Sequence, residues 1–346
     1  MRIPLAALLL LALACHIPGA AEDAPAPDRK AAMKAAARAV GGSWVSEAVG
    51  PDGKTSWVRS ETTWSENKRI LRARTWSLTA DNETLDFEGG MYWHPGTKRI
   101  EYFAVMANGG LFKGHVEVKQ GRLISRWSAW MGSMTMHGEN HTEYTDDDTQ
   151  VTKIYTKTGD TLRLMKEMKT VRKEAGWKPA KPEEGDKDET PDSPEPSSLE
   201  HSGKLVGGQW VTQTDPDKPY NGFTYEWGIG KQLIWGRTFA ANAGATKVLY
   251  EGAQYWHPGE KKLRYFECAT GGEVYEGEIT RKGETEISAF KAYGDKGVTE
   301  YEQHSKLTDK DTLESTVFIR QGEEFKQAHK FKFTRKPADW PPKQDN

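Results

Sequence analysis

The sequence predicts an all-β chain: two tandem antiparallel up-and-down β-barrels of about 8–10 strands each, preceded by one short N-terminal helix. Three observations predict it. First, Tyr92-Trp93-His94-Pro95-Gly96 recurs as Tyr255-Trp256-His257-Pro258-Gly259, 163 positions later. With residues 64–173 laid over 227–336 without a gap, 31 of 110 positions are identical, so the chain is an internal duplication. Second, each copy is a series of short apolar or alternating runs separated by turn residues. Third, no helix-length apolar pattern interrupts either series. About ten antiparallel strands leave two bare edges unless the sheet closes on itself.

The elements follow in order. Residues 1–21 read as an export signal: Met1-Arg2, an apolar run from Leu5 to Ala14, then small residues at Gly19-Ala20-Ala21. The protein is expected to be exported, periplasmic or secreted. The alternative is a lipid anchor at Cys15, disfavoured because Leu is missing three residues before it. No later run is long enough to cross a bilayer as a helix. Residues 22–38 form a tether and a short Ala-rich helix with Lys30, Lys34 and Arg38 on one stripe.

Residues 39–173 make the first barrel. Its predicted strands are Ser43–Val49, Ser56–Trp64, Arg69–Leu78, Thr84–Trp93, Arg99–Met106, Leu111–Lys119, Leu123–Trp130, Met134–Tyr144, Gln150–Lys157 and Thr161–Val171. Asp52-Gly53, Asp81-Asn82, Pro95-Gly96, Asn108-Gly109 and Thr158-Gly159-Asp160 supply turns between them. Residues 174–203 hold five Pro, nine acidic and three basic residues and almost nothing to bury, which predicts a disordered linker. Residues 204–336 make the second barrel and 337–346 a polar tail. With Cys15 removed, only Cys268 remains, so no disulfide framework holds either barrel. A formal net charge of −2 gives no basic field for nucleic acid.

A short helix, a Gly-x-Trp strand and an up-and-down strand series resemble the lipocalin-like (calycin) barrels. Gly42-Ser43-Trp44 and Gly208-Gln209-Trp210 carry the resemblance, which covers both copies and omits the linker. It is nearest to exported bacterial lipocalin-like domains of unknown function; haem-binding nitrobindin-type barrels are more distant. The resemblance implies a small apolar or amphipathic ligand inside the barrel. It also implies a basic residue from the last strand, Arg172 or Arg335, over the indole; a solvated Arg at a strand end is the alternative.

The candidate ligand-binding residues are Arg74, Arg237, Trp76, Trp235, Tyr102 and Tyr265. In Ile70-x-Arg72-x-Arg74-x-Trp76-x-Leu78 and Leu233-x-Trp235-x-Arg237-x-Phe239 the bulky residues share one parity and small residues the other. Side chains alternate across a strand, so the bulky face is expected to point inward. Arg74 and Arg237 would then hold a ligand carboxylate or, as buried charges more often do, pair internally with Glu88 or Glu251.

Other residue types suggest structural roles. His94 and His257 sit before Pro-Gly at a hairpin, where a turn role outweighs metal binding. His141 and His304 share a face with Glu139 and Glu302 and are expected outside, which argues against a haem ligand. Asp146-Asp147-Asp148-Thr149 and Asp309-Lys310-Asp311-Thr312 read as hairpin turns rather than calcium loops. Cys268 reads as a small core residue. No cofactor, metal cluster or nucleophile motif is implied. The functional expectation is therefore a ligand-binding module, with a non-catalytic scaffold of filled barrels as the alternative and an enzyme or haem barrel ranked lower. Arg72→Trp235, Trp130→Tyr293 and Ala104→Glu267 at matched positions predict that the copies do not share one ligand.

Overall fold

A computed structural model describes residues 29–49, 55–179, 199–215, 217–242 and 245–340. The expected export signal with Cys15, the Asp52-Gly53 turn and most of the Pro-rich linker lie outside the described residues.

The first barrel begins with helix α1 (Arg29–Ala36), continued by a 3₁₀ turn at Ala37–Ala39. Ten strands follow: β1 (Ser43–Val49), β2 (Thr55–Trp64), β3 (Ile70–Leu78), β4 (Glu83–His94), β5 (Arg99–Met106), β6 (Leu111–Lys119), β7 (Arg122–Met131), β8 (Met134–Tyr144), β9 (Thr149–Thr158) and β10 (Thr161–Lys173). Each pairs antiparallel with its chain neighbours, and β1 closes the wall on β10 with Trp44 opposite Arg172.

The second barrel repeats the plan. Helix α2 (Glu200–Gly203) precedes β11 (Gln209–Val211), β12 (Tyr220–Trp227), β13 (Leu233–Asn242), β14 (Ala245–His257), β15 (Lys262–Ala269), β16 (Val274–Lys282), β17 (Thr285–Gly294), β18 (Gly297–Asp309), β19 (Thr312–Gln321) and β20 (Glu324–Lys336). Here Trp210 of β11 faces Arg335 of β20. The predicted all-β class, the tandem closed barrels and the short N-terminal helix are all present. Ten strands per barrel is the upper end of the expected range.

The Gly-x-Trp strand closes the wall of each barrel between its second and last strands. Gly42 and Gly208 take φ of +71° and +73°, and a Cβ there would strike the Lys173 or Lys336 carbonyl, so only glycine fits without strain. The following Trp44 and Trp210 are buried, and their indole N–H groups donate to the Ala39 carbonyl at 3.0 Å and the Leu205 carbonyl at 2.9 Å. Arg172 lies 4.5 Å over the Trp44 ring and Arg335 4.5 Å over the Trp210 ring. Arg172 also donates to the carbonyls of Val40, Gly41 and Arg38, and Arg335 to that of Lys204. The bidentate, planar guanidinium thus stacks on the indole and ties down the helix-to-strand turn.

The parity expected for β3 and β13 is reversed. The small-residue face is the interior: Leu71, Ala73 and Thr75 are buried, with Thr75 hydrogen-bonded to Ser60 at 2.8 Å, while Gly236 and Thr238 line the inside of the second barrel. Arg72, Arg74, Trp76, Trp235, Arg237 and Phe239 occupy the alternate, outward positions. The physical reason is space. The neighbouring β4 sends in Phe87, and β6 and β7 send in Phe112 and Trp127; small residues on β3 make room for them.

Outward aromatics are covered by short returning segments instead. Arg59, 4% exposed, stacks 4.3 Å under Trp76 and donates to Glu83 at 2.6 Å and to the Trp177 carbonyl at 3.0 Å. Trp177 also meets Trp57 edge-on. In the second barrel Trp340 packs on Tyr220 at 4.8 Å beside Phe239. Trp177 and Trp340 are themselves 163 apart, so the repeat runs beyond residues 173 and 336.

Candidate ligand-binding cavity

The interiors of the two barrels differ. Among the described residues, the first is closely packed. α1 contributes Ala32, Met33, Ala35 and Ala36 to a continuous buried cluster that includes Phe87, Met91, Tyr102, Ala104, Phe112, Trp127 and Met168. Phe87 meets Phe112 at 5.6 Å, Phe112 meets Trp127 at 5.7 Å, and the Trp127 N–H donates to Asn140 at 2.9 Å. Packing of this kind leaves little unoccupied volume.

The second barrel encloses a cavity of about 490 Å³. Its plug is shorter: α2 is a single turn, and among the described residues the buried cluster at that end holds Leu205, Trp210, Phe223 and Leu313. Above it the walls alternate aromatic and polar groups. Tyr225 comes from β12, Tyr250 and Gln254 from β14, Tyr265 and Glu267 from β15, Tyr275 from β16, Glu286 and Phe290 from β17, and Tyr301 and Gln303 from β18. Inward parity on each strand places them there. Tyr265 and Glu267 are two apart on β15, as Glu286, Ser288 and Phe290 are on β17.

The electrostatics are unusual for an apolar pocket. Two carboxyls line it, and the lining includes no Lys or Arg among the described residues. Burial pushes the Glu267 carboxyl up to about 7, and no hydrogen bond or ion pair among the described residues offsets it. Burial also raises Glu286, which accepts a 3.0 Å hydrogen bond from the Ser202 hydroxyl of α2. The Tyr225, Tyr265 and Tyr275 hydroxyls are raised by the same desolvation, so they stay protonated donors across the ordinary pH range. Tyr225 receives a 3.3 Å hydrogen bond from the Gln254 amide.

Of the six sequence-predicted ligand residues, Tyr265 lines this cavity. Tyr102 is its counterpart in the filled core, with no hydrogen-bond partner for its hydroxyl among the described residues. Arg74 is on the outer face and pairs with Glu88 at 2.9 Å, the internal alternative weighed from the sequence. Arg237 is exposed on the outer face, opposite Glu251 in the register, and Trp76 and Trp235 are outward too. None of these four reaches a barrel interior. Glu286, Gln254, Tyr225, Tyr275 and Tyr301 were not singled out from the sequence. Glu267 was marked only as a replacement of Ala104.

Other candidates resolve locally. His94 and His257 are buried, and each Nδ1 accepts the N–H of the third residue on, Thr97 or Glu260, at 3.1 Å. They are turn residues, and the left-handed position of the turn is Lys98 or Lys261 rather than the glycine. His141 and His304 bond Glu139 and Glu302 at 3.1 Å on the outer face. Asp146 and Asp309 cap their own turns through the N–H groups of Asp148 and Asp311. Cys268 is buried and its thiol is pushed well up by desolvation, the state of an unreactive core residue. No group of three metal-ligating side chains occurs among the described residues.

No family model matches the sequence, and no curated protein matches it. Among solved structures it is similar to a DUF3598-family protein of unknown function from Nostoc punctiforme. The two are 12% identical, the match covers 86% of this chain and 97% of that one, and the TM-score is 0.20. The fold stands on the strand ladders described above, not on this likeness.

Proposed function

We propose that this protein is an exported, non-catalytic binding protein whose second lipocalin-like barrel holds a small amphipathic molecule. The first barrel is the filled copy and serves as a rigid companion. The observation that carries the reading is the enclosed volume of about 490 Å³ in one barrel of a duplicated pair. That size and its mixed aromatic and polar lining are those of small-molecule sites. The stacked Arg172–Trp44 and Arg335–Trp210 pairs support the lipocalin-like reading. The export reading rests on residues 1–21.

Native mass spectrometry of the full-length protein tests it, with calorimetric titration against a panel of amphipathic compounds. One molecule bound per chain is expected, and Ser288→Trp, which would fill the cavity, should abolish it without unfolding the barrel. Silence across the panel, or binding unchanged by Ser288→Trp, would sink the proposal. N-terminal sequencing of the mature protein from its compartment tests export; a chain still beginning at Met1 in the cytoplasm would refute it.

A further inference from the structure

We infer that the second-barrel cavity selects an organic cation: a protonated amine head on an apolar body, with Glu267 as counter-ion and Tyr265, Tyr275, Phe290 and Tyr301 as aromatic walls. This rests on the cavity being a binding site at all and adds the class of ligand.

Four observations point the same way. Glu267 is the one cavity carboxyl with no local partner among the described residues, since Glu286 is held by Ser202. Gln254, 8% exposed, lines the same cavity, and its Oε1 has no hydrogen-bond partner among the described residues. Both free groups are acceptors, so a donor-bearing head would satisfy them. The rings form one connected set: Tyr250–Tyr275 at 5.4 Å, Tyr275–Phe290 at 6.1 Å, Tyr265–Phe290 at 5.7 Å and Phe290–Tyr301 stacked at 5.2 Å. Aromatic faces attract a desolvated cation. Finally, the lining includes no Lys or Arg that could hold an anion, and a ligand carboxylate would meet two protein carboxyls in a low-dielectric space.

A neutral apolar guest would leave the ionised form of Glu267 dehydrated and unopposed, which is costly. A cation offsets that cost and expels the proton that burial otherwise holds on the carboxyl near neutral pH. The titratable groups facing Glu267 are Tyr225 on β12, Tyr250 on β14, Tyr265 on its own strand, Tyr275 on β16, Glu286 on β17, Tyr301 on β18 and His329 on β20. Glu251 and Glu276 sit on the flanking strands at outward positions. Among all of these, only His329 carries positive charge when protonated.

The test uses the full-length protein and three probes with one apolar body: 2-(2-naphthyl)ethylamine, 2-(2-naphthyl)ethanol and 3-(2-naphthyl)propanoate, titrated calorimetrically at pH 8. The amine should bind at least about tenfold tighter than the alcohol, and the propanoate weakest. Glu267→Gln should bring amine and alcohol to within about threefold, the amine weakening and the alcohol tightening as the unopposed charge is removed. In the wild type, amine binding should release a proton and weaken from pH 8 to pH 6. That step should vanish in Glu267→Gln, whereas a step due to His329 would persist. If the variant does not fold, the wild-type ranking of the three probes still decides the ligand class, and a pH step retained in His329→Gln assigns it to Glu267. An alcohol or propanoate that equals the amine overturns the inference and leaves the binding site standing. If none of the three binds, the binding-site reading falls and this inference with it.

Discussion

Glu267 stands across the ladder from Tyr275, where its counterpart Ala104 stands across from Phe112. One strand position therefore carries a methyl group in a packed core and a carboxyl over open volume. The difference follows from what surrounds each. Ala104 is 1% exposed within the cluster that α1 helps to fill, and Glu267 faces the cavity left above the one-turn α2. A duplicated scaffold can thus hold a fixed wall and vary only the contents.

The Glu267 carboxyl should make stability pH-dependent. Its folded value of about 7 lies above the ordinary 4.5, so the folded state binds the proton more tightly than the unfolded state. The stability this contributes is fully present below about pH 4.5, is lost as pH rises toward about 7, and is constant above that. Relative to wild type, Glu267→Gln should be unchanged at pH 4 and more stable at pH 8 by up to roughly 3 kcal/mol. Urea unfolding at the two pH values, without ligand, measures the difference. An equal effect at both would contradict it.

Removing the Arg335 guanidinium strips a cation from the Trp210 face and a donor from the Lys204 carbonyl. Arg335→Ala should cost roughly 2–3 kcal/mol, and Arg335→Lys should recover less than half because an ammonium cannot stack and bridge together. Arg172→Ala should behave alike in the first barrel, where three carbonyls lose their donor. Denaturation of the full chain, followed by Trp fluorescence, reads both.

Arg74→Leu separates a structural pair from a binding residue. Glu88 is 2% exposed and lies 2.9 Å from Arg74 and 3.8 Å from Arg72. Loss of Arg74 should cost about 1–3 kcal/mol, moderated by Arg72 and by the half-exposed position of Arg74. Probe affinity at the second barrel should not move. A tenfold loss of binding in a folded Arg74→Leu protein would show that the outward placement is mistaken.

Strand boundaries were legible in the sequence because turn chemistry is local. Arg99–Met106, Leu111–Lys119 and Met134–Tyr144 match their predictions residue for residue, since Asn108-Gly109 and its like punctuate the runs. The stacking of Arg172 and Arg335 on the Trp rings was implied by the resemblance to lipocalin-like barrels, and position alone left a solvated Arg as the alternative. The inward face of β3 and β13 was not. Parity identifies two faces, but which one turns inward depends on the volumes arriving from the other strands. Trp76 looks like a core residue until Arg59 and Trp177 are seen to build a second layer outside the wall. Whether a barrel is hollow is less legible still, because it is set by a difference among many side chains and by the length of a plug helix. Ala104→Glu267 was visible as a substitution, yet only the empty space beside it gives the carboxyl a meaning.

The reciprocal exchange in the first barrel tests that meaning. Ala104→Glu would place a carboxyl against Phe112 in a closely packed cluster, where the described residues that surround it are apolar. Overpacking and an uncompensated buried charge act together there, so the variant should lose about 3–5 kcal/mol at pH 8 and somewhat less at pH 4, where the added group is neutral. Glu267→Ala removes the same atoms from a site already open to the cavity. It should leave the second barrel as stable or more so at pH 8. Opposite signs from one pair of residues, read by urea unfolding of the two full-length variants, follow only if one barrel is packed and the other is hollow. Equal losses in both would mean that the two interiors are filled alike, and the cavity would go with them.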